Sequence, residues 1–231
     1  MAERRLFYYI TDRTAFGTDE STRRERLFEK IAEATLAGVD YIQLRERDLS
    51  ARQLEALASE AVRVIKEAKL RNENRERRTA LLTNSRPDVA LAVHADGVHL
   101  RSDDISPQEV RAIWEKCCEG AHAGETPPRH PLIGVSCHSP EEVAQAAANG
   151  GNFAVFAPVF EKKDAPGGLP AGVEALRLAC KSSIPVLALG GITLSNARSC
   201  FEAGAAGIAA IRLFQENDIC GVVKHLRSHA R

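Results

Sequence analysis

Short apolar runs alternate along this chain with longer segments whose apolar residues recur at helical spacing. The segments Arg24–Ala37 and Gln53–Ala68 place apolar side chains three or four positions apart, with charged residues opposite, which predicts amphipathic helices. The short runs are rich in the residue types that favour β-structure. The predicted strands are Leu6–Ile10, Tyr41–Leu44, Ala80–Leu82, Gly97–Leu100, Leu132–Val135, Phe153–Phe156, Pro185–Leu189 and Gly207–Ile211.

The alternation of strand and helix predicts a parallel sheet, because consecutive parallel strands need a crossover connection. Eight such units within 231 residues suit a closed barrel better than an open, doubly wound sheet. An open dinucleotide-binding sheet is the alternative, but no Gly-x-Gly-x-x-Gly motif follows the first strand. We therefore predict an α/β fold, a single (β/α)8 TIM barrel that occupies residues 1–231.

Composition narrows the class of protein further. The chain is 44% hydrophobic and 27% charged, as a globular domain is, and its 31 basic and 31 acidic residues cancel. The balance predicts no general attraction to nucleic acid or to an anionic membrane. The six cysteines have no metal-ligand spacing, so we expect buried, reduced thiols. With neither a signal peptide nor a membrane span evident, a cytoplasmic protein is expected, and a homo-oligomer is compatible with the pattern.

A phosphate site is predicted after the seventh and eighth strands. Active sites of such barrels lie at the carboxyl ends of the strands, and phosphate often binds after strands seven and eight. Gly190 and Gly191 stand where the seventh strand ends, and glycine lets backbone N–H groups approach an anion. Arg212, after the eighth strand, adds a forked positive charge. The alternative interpretation is a tight turn beside a surface arginine.

A second group of polar residues follows the second, third, fourth and sixth strands. Its cations and amide are those that a diphosphate requires: Arg45, Arg47, Asn84, Lys162 and Lys163. Asp104, with Asp103 beside it, offers the oxygen ligands that Mg²⁺ prefers. The alternative is that these charges form surface pairs around the rim of the barrel.

The end of the fifth strand carries a candidate for proton transfer. His138 follows Ser136 there, and histidine titrates near neutral pH. A hydrogen-bonded loop histidine is equally compatible with the spacing. Cys137 has no evident base in the sequence, so we do not expect it to act as a nucleophile.

Five motifs, in order, resemble those of one enzyme family. They are Tyr41–Asp48, Thr83–Ala92, Ala95–Leu100, Ile133–Ser139 and Ala188–Thr193. Together they resemble the signatures of the thiamine phosphate synthases, and the resemblance extends from about Tyr8 to Phe214. It implies a transferase that joins an aminopyrimidine methyl diphosphate to a thiazole phosphate and releases diphosphate. Both expected substrates are small phosphorylated molecules, and the expected metal is Mg²⁺.

The resemblance also implies a role for individual residues. The residues expected to bind the pyrimidine diphosphate are Gln43, Arg45, Arg47, Asn84, Ser136 and Lys162. Of these, Arg45 and Lys162 would stabilise the leaving group. The residues matching the thiazole phosphate pocket are Gly190, Gly191, Ile211 and Arg212. Asp104 matches a metal ligand, and Asp103 is its possible companion.

Two positions depart from the synthase pattern. The residue after Asn84 is usually a second magnesium-binding aspartate, and here it is Ser85. The loop after the sixth strand usually carries Thr-x-Thr-Lys, whereas Phe160–Asp164 keeps only the lysines. At both positions the chain resembles the TenI-like thiazole tautomerases more than the synthases. These tautomerases share the barrel, need no metal and aromatise a thiazole carboxylate phosphate. His138 matches their proposed base. A non-catalytic sensor of a thiamine precursor is a third hypothesis.

Overall fold

The computed structural model describes residues 4–71, 78–119, 130–161 and 169–228. Strands and helices alternate throughout these residues. The strands are β1 (Leu6–Ile10), β2 (Tyr41–Leu44), β3 (Ala80–Asn84), β4 (Gly97–Leu100), β5 (Leu132–Cys137), β6 (Phe153–Phe156), β7 (Val186–Ala188) and β8 (Gly207–Ala210). The helices are α1 (Glu20–Ala37), α2 (Ala51–Arg71), α3 (Pro87–Ala92), α4 (Pro107–Glu119), α5 (Pro140–Ala148), α6 (Gly172–Ala179), α7 (Ala197–Glu202), α8 (Arg212–Gln215) and α9 (Ile219–Ser228), and a 3₁₀ turn spans Arg13–Phe16.

The eight strands form a closed parallel barrel in chain order, which confirms the predicted (β/α)8 fold. β1 closes the barrel by pairing with β8, with Tyr8 opposite Ala209. The bounds of β1, β2, β4 and β6 are the predicted ones, whereas β3 and β5 extend farther toward the carboxyl end. β8 stops before Ile211, whose backbone lies in the α-helical region and which is the N-cap residue of α8.

The barrel interior is filled by a compact aromatic cluster near the amino-terminal ends of the strands. The Tyr41 ring stacks on the Phe153 ring at a centroid distance of 4.8 Å. Tyr8 packs edge-on against both rings, at 5.8 and 5.5 Å. Because these rings fill the barrel near the amino-terminal ends of the strands, any ligand must enter from the carboxyl-terminal end.

The amino-terminal end of the barrel repeats one contact three times. The residue preceding β2, β4 or β6 accepts, through a side-chain oxygen, a hydrogen bond from a backbone amide in the preceding strand. The pairs are Asp40 with Phe7, Asp96 with Leu81 and Asn152 with Ile133, at 2.9, 2.9 and 2.8 Å. An arginine bonds each of these side chains: Arg4, Arg78 and Arg111, respectively. The repeat locks the strands in pairs at the face opposite the predicted site.

Short polar side chains cap the amino-terminal ends of some of the helices, including α1 and α5. Asp19 accepts a hydrogen bond from the Thr22 amide at 2.8 Å, so α1 begins before the predicted Arg24. Ser139 caps α5, with its hydroxyl oxygen 3.2 Å from the Glu142 amide nitrogen. Trp114 is fully buried in α4. Within the described residues, no helix has both the length and the apolar character needed to cross a membrane.

The cysteines are all free thiols, but only Cys137 and Cys200 are buried. The expectation of buried thiols is therefore wrong for Cys117, which is exposed on α4, and for the three partly buried cysteines.

Candidate active site

A cavity of about 960 Å³ opens at the carboxyl-terminal ends of the strands. It brings together predicted site residues that lie up to 169 positions apart in the chain. The predicted residues that line it are Gln43, Arg45, Arg47, Asn84, Asp103, Ser136, His138, Gly190, Gly191, Ile211 and Arg212. Lys162 lies outside the described residues, as do Lys163 and Asp164.

Gln43 on β2 and Asn84 on β3 form a pair of oriented amides in this cavity. The Gln43 side chain is buried, and its Nε2 donates a hydrogen bond to Asn84 Oδ1 at 2.7 Å. The bond leaves Gln43 Oε1 as an acceptor and Asn84 Nδ2 as a donor. Asn84 Nδ2 also donates to Ser85 Oγ at 3.3 Å, so the amide plane is held on both sides.

Two arginines after β2 supply positive charge beside these amides. Arg45 is half-buried and Arg47 is exposed at the rim. Burial, together with the charge of Arg47, lowers the pKa of the Arg45 guanidinium from its ordinary value. An arginine remains charged at any physiological pH. The arrangement therefore holds two nearby cations whose repulsion an anionic ligand would relieve.

A buried ionic cluster beneath the β2 loop was not predicted. The Arg13 and Glu46 side chains are only 2% and 1% exposed, and Arg13 Nη1 lies 3.2 Å from Glu46 Oε2 and 2.7 Å from Asp48 Oδ1. Thr11 Oγ1 donates to Glu46 Oε1 at 2.6 Å and accepts from the Arg45 amide at 3.1 Å. The cluster thus ties the loop after β1 to the loop that carries Arg45.

Asp104 and Asp103 lie at the end of β4 in different environments. Asp104 Oδ2 accepts hydrogen bonds from Ser85 Oγ at 2.5 Å and from the Arg101 amide at 2.7 Å. Asp103 is 67% exposed and its carboxylate pairs with the Arg101 side chain. Of the two, only Asp103 is among the residues that line the cavity.

The floor of the cavity contains a buried histidine on β4. His99 Nε2 lies 2.8 Å from Ser136 Oγ on the adjacent β5. Burial lowers the pKa of His99 to about 3, with Arg45 lowering it further and Asp104 opposing the shift. His99 is therefore a neutral imidazole at any physiological pH.

His138, at the exposed end of β5, has a fixed ring orientation. Its Nδ1 lies 2.7 Å from the backbone oxygen of Ala157. A carbonyl oxygen can only accept, so Nδ1 carries the hydrogen and Nε2 holds a lone pair in the neutral ring. His138 is thus a potential proton acceptor. Burial raises the pKa of neighbouring Cys137 to about 12, which supports the expectation that this thiol is no nucleophile.

The predicted phosphate site contains two glycines that no other residue could replace without strain. Gly190 and Gly191 have φ angles of 100° and 63°. A Cβ on Gly190 would lie 2.8 Å from Pro158, and one on Gly191 would lie 2.5 Å from the Glu161 oxygen. The backbone can make this turn into the cavity only because both side chains are absent.

A neighbouring wall of this site is formed where β8 is followed by α8. Ile211 and Arg212 are half-buried and line the cavity after β8, the strand paired with β7. Gln215, which sequence reasoning missed, fixes this wall. Its Oε1 accepts a hydrogen bond from the Tyr9 hydroxyl at 3.0 Å, and its Nε2 donates one to the backbone oxygen of Asp12 at 2.7 Å. These hydrogen bonds connect α8, which follows the last strand, to β1 and the turn that follows it.

Comparison with known proteins yields one consistent family. A family model described as thiamine monophosphate synthase matches residues 7–214. A putative thiamine-phosphate synthase 2 from Aquifex aeolicus is 35% identical over 210 residues, covering 90% of this chain and 97% of that protein. A thiamine-phosphate synthase from Roseiflexus sp. strain RS-1 is 35% identical over 209 residues, covering 89% and 76% respectively.

Solved structures agree with these relatives. Thiamine phosphate pyrophosphorylase from Pyrococcus furiosus superposes with a TM-score of 0.72 at 28% identity, covering 97% of this chain and 95% of that one. A 3-hexulose-6-phosphate synthase, at 16% identity and a TM-score of 0.61, shares the fold.

Proposed function

The chain belongs to the thiamine monophosphate synthase family, and from that premise we propose that it joins a pyrimidine diphosphate to a thiazole phosphate. In this reaction the bond between the pyrimidine methylene carbon and the diphosphate oxygen breaks, and diphosphate leaves with the electron pair. The thiazole nitrogen then forms a bond to that carbon. The product is thiamine phosphate, and diphosphate is released.

The observation that supports the proposal is that one cavity is lined by two groups of residues suited to anions. Arg45 and Arg47 follow β2, and Gly190, Gly191 and Arg212 follow β7 and β8. A volume of about 960 Å³ is at the upper end of the range for ligand pockets, as simultaneous binding of two substrates requires. A phosphate isomerase would need only one of these sites.

The side chains support the reaction through charge and position. Arg45 and Arg47 would stabilise the negative charge that accumulates on the departing diphosphate. The paired amides of Gln43 and Asn84 would orient the pyrimidine portion, and the Gly190–Gly191 turn would hold the thiazole phosphate. Holding both reactants in one geometry replaces an encounter in solution with a reaction between bound neighbours.

The residues at the end of β4 are compatible with a magnesium ion. Asp104 would be its carboxylate ligand, with the Ser85 hydroxyl beside it, and Asp103 could join only by leaving Arg101. Among the described residues, no three His, Cys, Asp or Glu side chains are grouped as a metal site. Mg²⁺ commonly binds one or two carboxylates together with substrate phosphates, so the diphosphate would complete the set. The ion would neutralise charge on the leaving group.

A tautomerase is the second candidate, and His138 favours it. Its Nδ1–H bond to Ala157 leaves Nε2 as a proton acceptor at the cavity, which aromatisation of a thiazole carboxylate phosphate would use. That reaction needs neither a diphosphate site nor a metal.

A paired assay tests both candidates on the same purified protein. One arm supplies pyrimidine diphosphate, thiazole phosphate and Mg²⁺, and the other supplies the non-aromatic thiazole tautomer alone. We expect turnover in the first arm, lost at least about a hundredfold in Arg45→Met, since electrostatic stabilisation of a departing anion is worth that much. His138→Gln should retain it.

Turnover only in the second arm, lost in His138→Gln, would contradict the synthase. Binding of both substrates without turnover in either arm would instead indicate a sensor.

We also place the protein in the cytoplasm, where its free thiols remain reduced.

A further inference from the structure

A buried polar pair forms the floor of the cavity. His99 on β4 and Ser136 on β5 lie on neighbouring strands, with His99 opposite Gly134 in the register. His99 Nε2 is 2.8 Å from Ser136 Oγ. Both side chains line the cavity, the serine half-buried and the histidine only 2% exposed. The histidine therefore contacts a hydroxyl at the floor of the cavity and has almost no exposed surface of its own.

The histidine ring is held in a single orientation by its neighbours. A Cβ on Gly134 would lie 2.9 Å from His99 Nδ1, so only glycine leaves room for the ring. The rings of Tyr8 and Phe153 pack at centroid distances of 5.7 and 6.4 Å. These contacts restrict the ring, and in this orientation Nε2 faces Ser136.

The hydrogen-bonding pattern indicates which nitrogen carries the proton. Nδ1 is buried and has no hydrogen-bond partner among the described residues. Buried N–H groups without an acceptor are rarer than buried acceptors without a donor, so the hydrogen belongs on Nε2. Burial keeps the ring neutral, since it lowers the His99 pKa to about 3. His99 Nε2–H then donates to Ser136 Oγ.

We propose that His99 is a positioning residue, whose Nε2–H bond to Ser136 Oγ directs the serine's own hydrogen toward an anionic oxygen of the substrate. A hydroxyl donates one hydrogen and accepts through its oxygen. With the oxygen engaged by His99, the hydrogen is free to point into the cavity. On the proposed function, the acceptor is the departing diphosphate, and this identification rests on that function.

The relay strengthens the serine as a donor without moving a proton. A hydroxyl that accepts one hydrogen bond is polarised to donate the next, and both bonds lie in a site of low dielectric constant. A histidine restricted to packing would have no such effect on Ser136. The two roles therefore differ in whether the loss of His99 matters once the serine hydroxyl has been removed.

A double-mutant cycle separates the roles. We expect Ser136→Ala and His99→Leu each to lower kcat by about five- to tenfold, the effect of one lost hydrogen bond. The double variant should be no worse than Ser136→Ala. His99→Gln, whose amide can still donate, should stay within about threefold of the wild type. His130→Gln, an exposed histidine before β5, is the matched control and should leave kcat unchanged.

If the two losses multiply in the double variant, His99 acts on the fold and the proposal is wrong. The same cycle is measured on the binding of inorganic diphosphate, which needs no turnover. Non-additive losses in this affinity, without thiamine phosphate formation in any variant, would contradict the proposed function and leave the relay intact.

Nitrogen-15 NMR of histidine-labelled protein tests the tautomer directly, with His99→Gln identifying the signal. We expect a neutral ring protonated at Nε2 at pH 7.5. A ring protonated at Nδ1 would overturn the proposal whatever the kinetics show.

Discussion

Ser85 illustrates how one residue sets the properties of the candidate metal site. Its backbone has a φ angle of 57°, in the left-handed region that Asn and Asp tolerate better than most residues. Its hydroxyl donates to Asp104 Oδ2 at 2.5 Å. The position should therefore tolerate an aspartate better than most other residues, and such a carboxylate would lie near Asp104.

Ser85→Asp should lower the Mg²⁺ concentration needed for half-maximal synthase activity by about tenfold or more. Two carboxylates attract a divalent cation more strongly than one carboxylate and a hydroxyl do. The measurement is a Mg²⁺ titration of the initial rate. Ser85→Asn has nearly the same shape without the charge and should show no gain. An equal response of the two variants would contradict the assignment of Asp104 as a ligand.

His99 should make the protein less stable in mild acid. Its pKa is about 3 when folded, against about 6.5 in an unfolded chain, because burial penalises the charged ring. Above pH 6.5, His99 is neutral in both states and the unfolding free energy is at its full value. As the pH falls from 6.5 toward 3, only the unfolded state gains the proton, so the unfolding free energy decreases. At pH 5 the expected loss relative to pH 8 is about 2 kcal/mol.

Urea unfolding at pH 8 and pH 5 measures this loss. The His99→Gln variant should show a fall in unfolding free energy about 2 kcal/mol smaller than the wild type shows. Arg45 and Asp104, the charged groups that act on this ring, are the same in both proteins. Identical pH dependence in the two proteins would mean that His99 titrates normally.

At the scale of elements, the loop after β2 depends on a salt bridge buried under it. Arg13 comes from the 3₁₀ turn after β1, and Glu46 from the loop itself. The pair holds the segment on which Arg45 and Arg47 stand. Breaking a buried pair is costly because it leaves a charge without its partner.

Glu46→Gln should lower the unfolding free energy by about 2–3 kcal/mol, at or below the usual range for a broken buried pair because Asp48 still bonds Arg13. Diphosphate affinity should fall as well, since Arg45 loses its anchored backbone. Chemical denaturation and calorimetric titration are the measurements. Glu20→Gln is the control, because Glu20 bonds the same arginine but is 49% exposed, and its loss should be below about 1 kcal/mol. Equal losses would show that burial of the pair is immaterial.

At the scale of the whole molecule, the barrel separates stability from chemistry. The aromatic cluster and the repeated Asp40, Asp96 and Asn152 contacts lie toward the amino-terminal end. The polar residues of the cavity lie at the carboxyl-terminal end, on strand ends and the loops that follow. The division leaves the cavity free to hold two anionic ligands.

The two ligands should therefore bind together. Thiazole phosphate and inorganic diphosphate, each at a hundredfold excess over its Kd, should each add about 2.7 kcal/mol to the unfolding free energy, and their effects should sum. Thermal shift is the measurement. Arg212→Ala should reduce the thiazole phosphate effect alone, and Arg47→Ala the diphosphate effect alone. Competition between the ligands would place them in one site.

Much of this architecture follows from the sequence alone, because its causes are local. The alternation of apolar runs and amphipathic segments predicted the closed barrel, and four strands have the predicted bounds. Gly190 and Gly191 were recognisable as a special turn because two glycines directly follow a predicted strand end, and both have positive φ angles. The strand-end rule then placed Gln43, Asn84 and Ser136 toward one cavity without any knowledge of their partners.

Only the tertiary structure decided which side chains meet. Arg13 and Glu46 are 33 positions apart and His99 and Ser136 are 37 apart, so no local pattern records either pair. Their burial, which lowers the His99 pKa, results from packing by strands and rings from elsewhere in the chain. Sequence determined which groups stand at the strand ends, since strand periodicity is local. The closure of the barrel decided their partners and their charge states, because both depend on contacts between distant segments and on the exclusion of water.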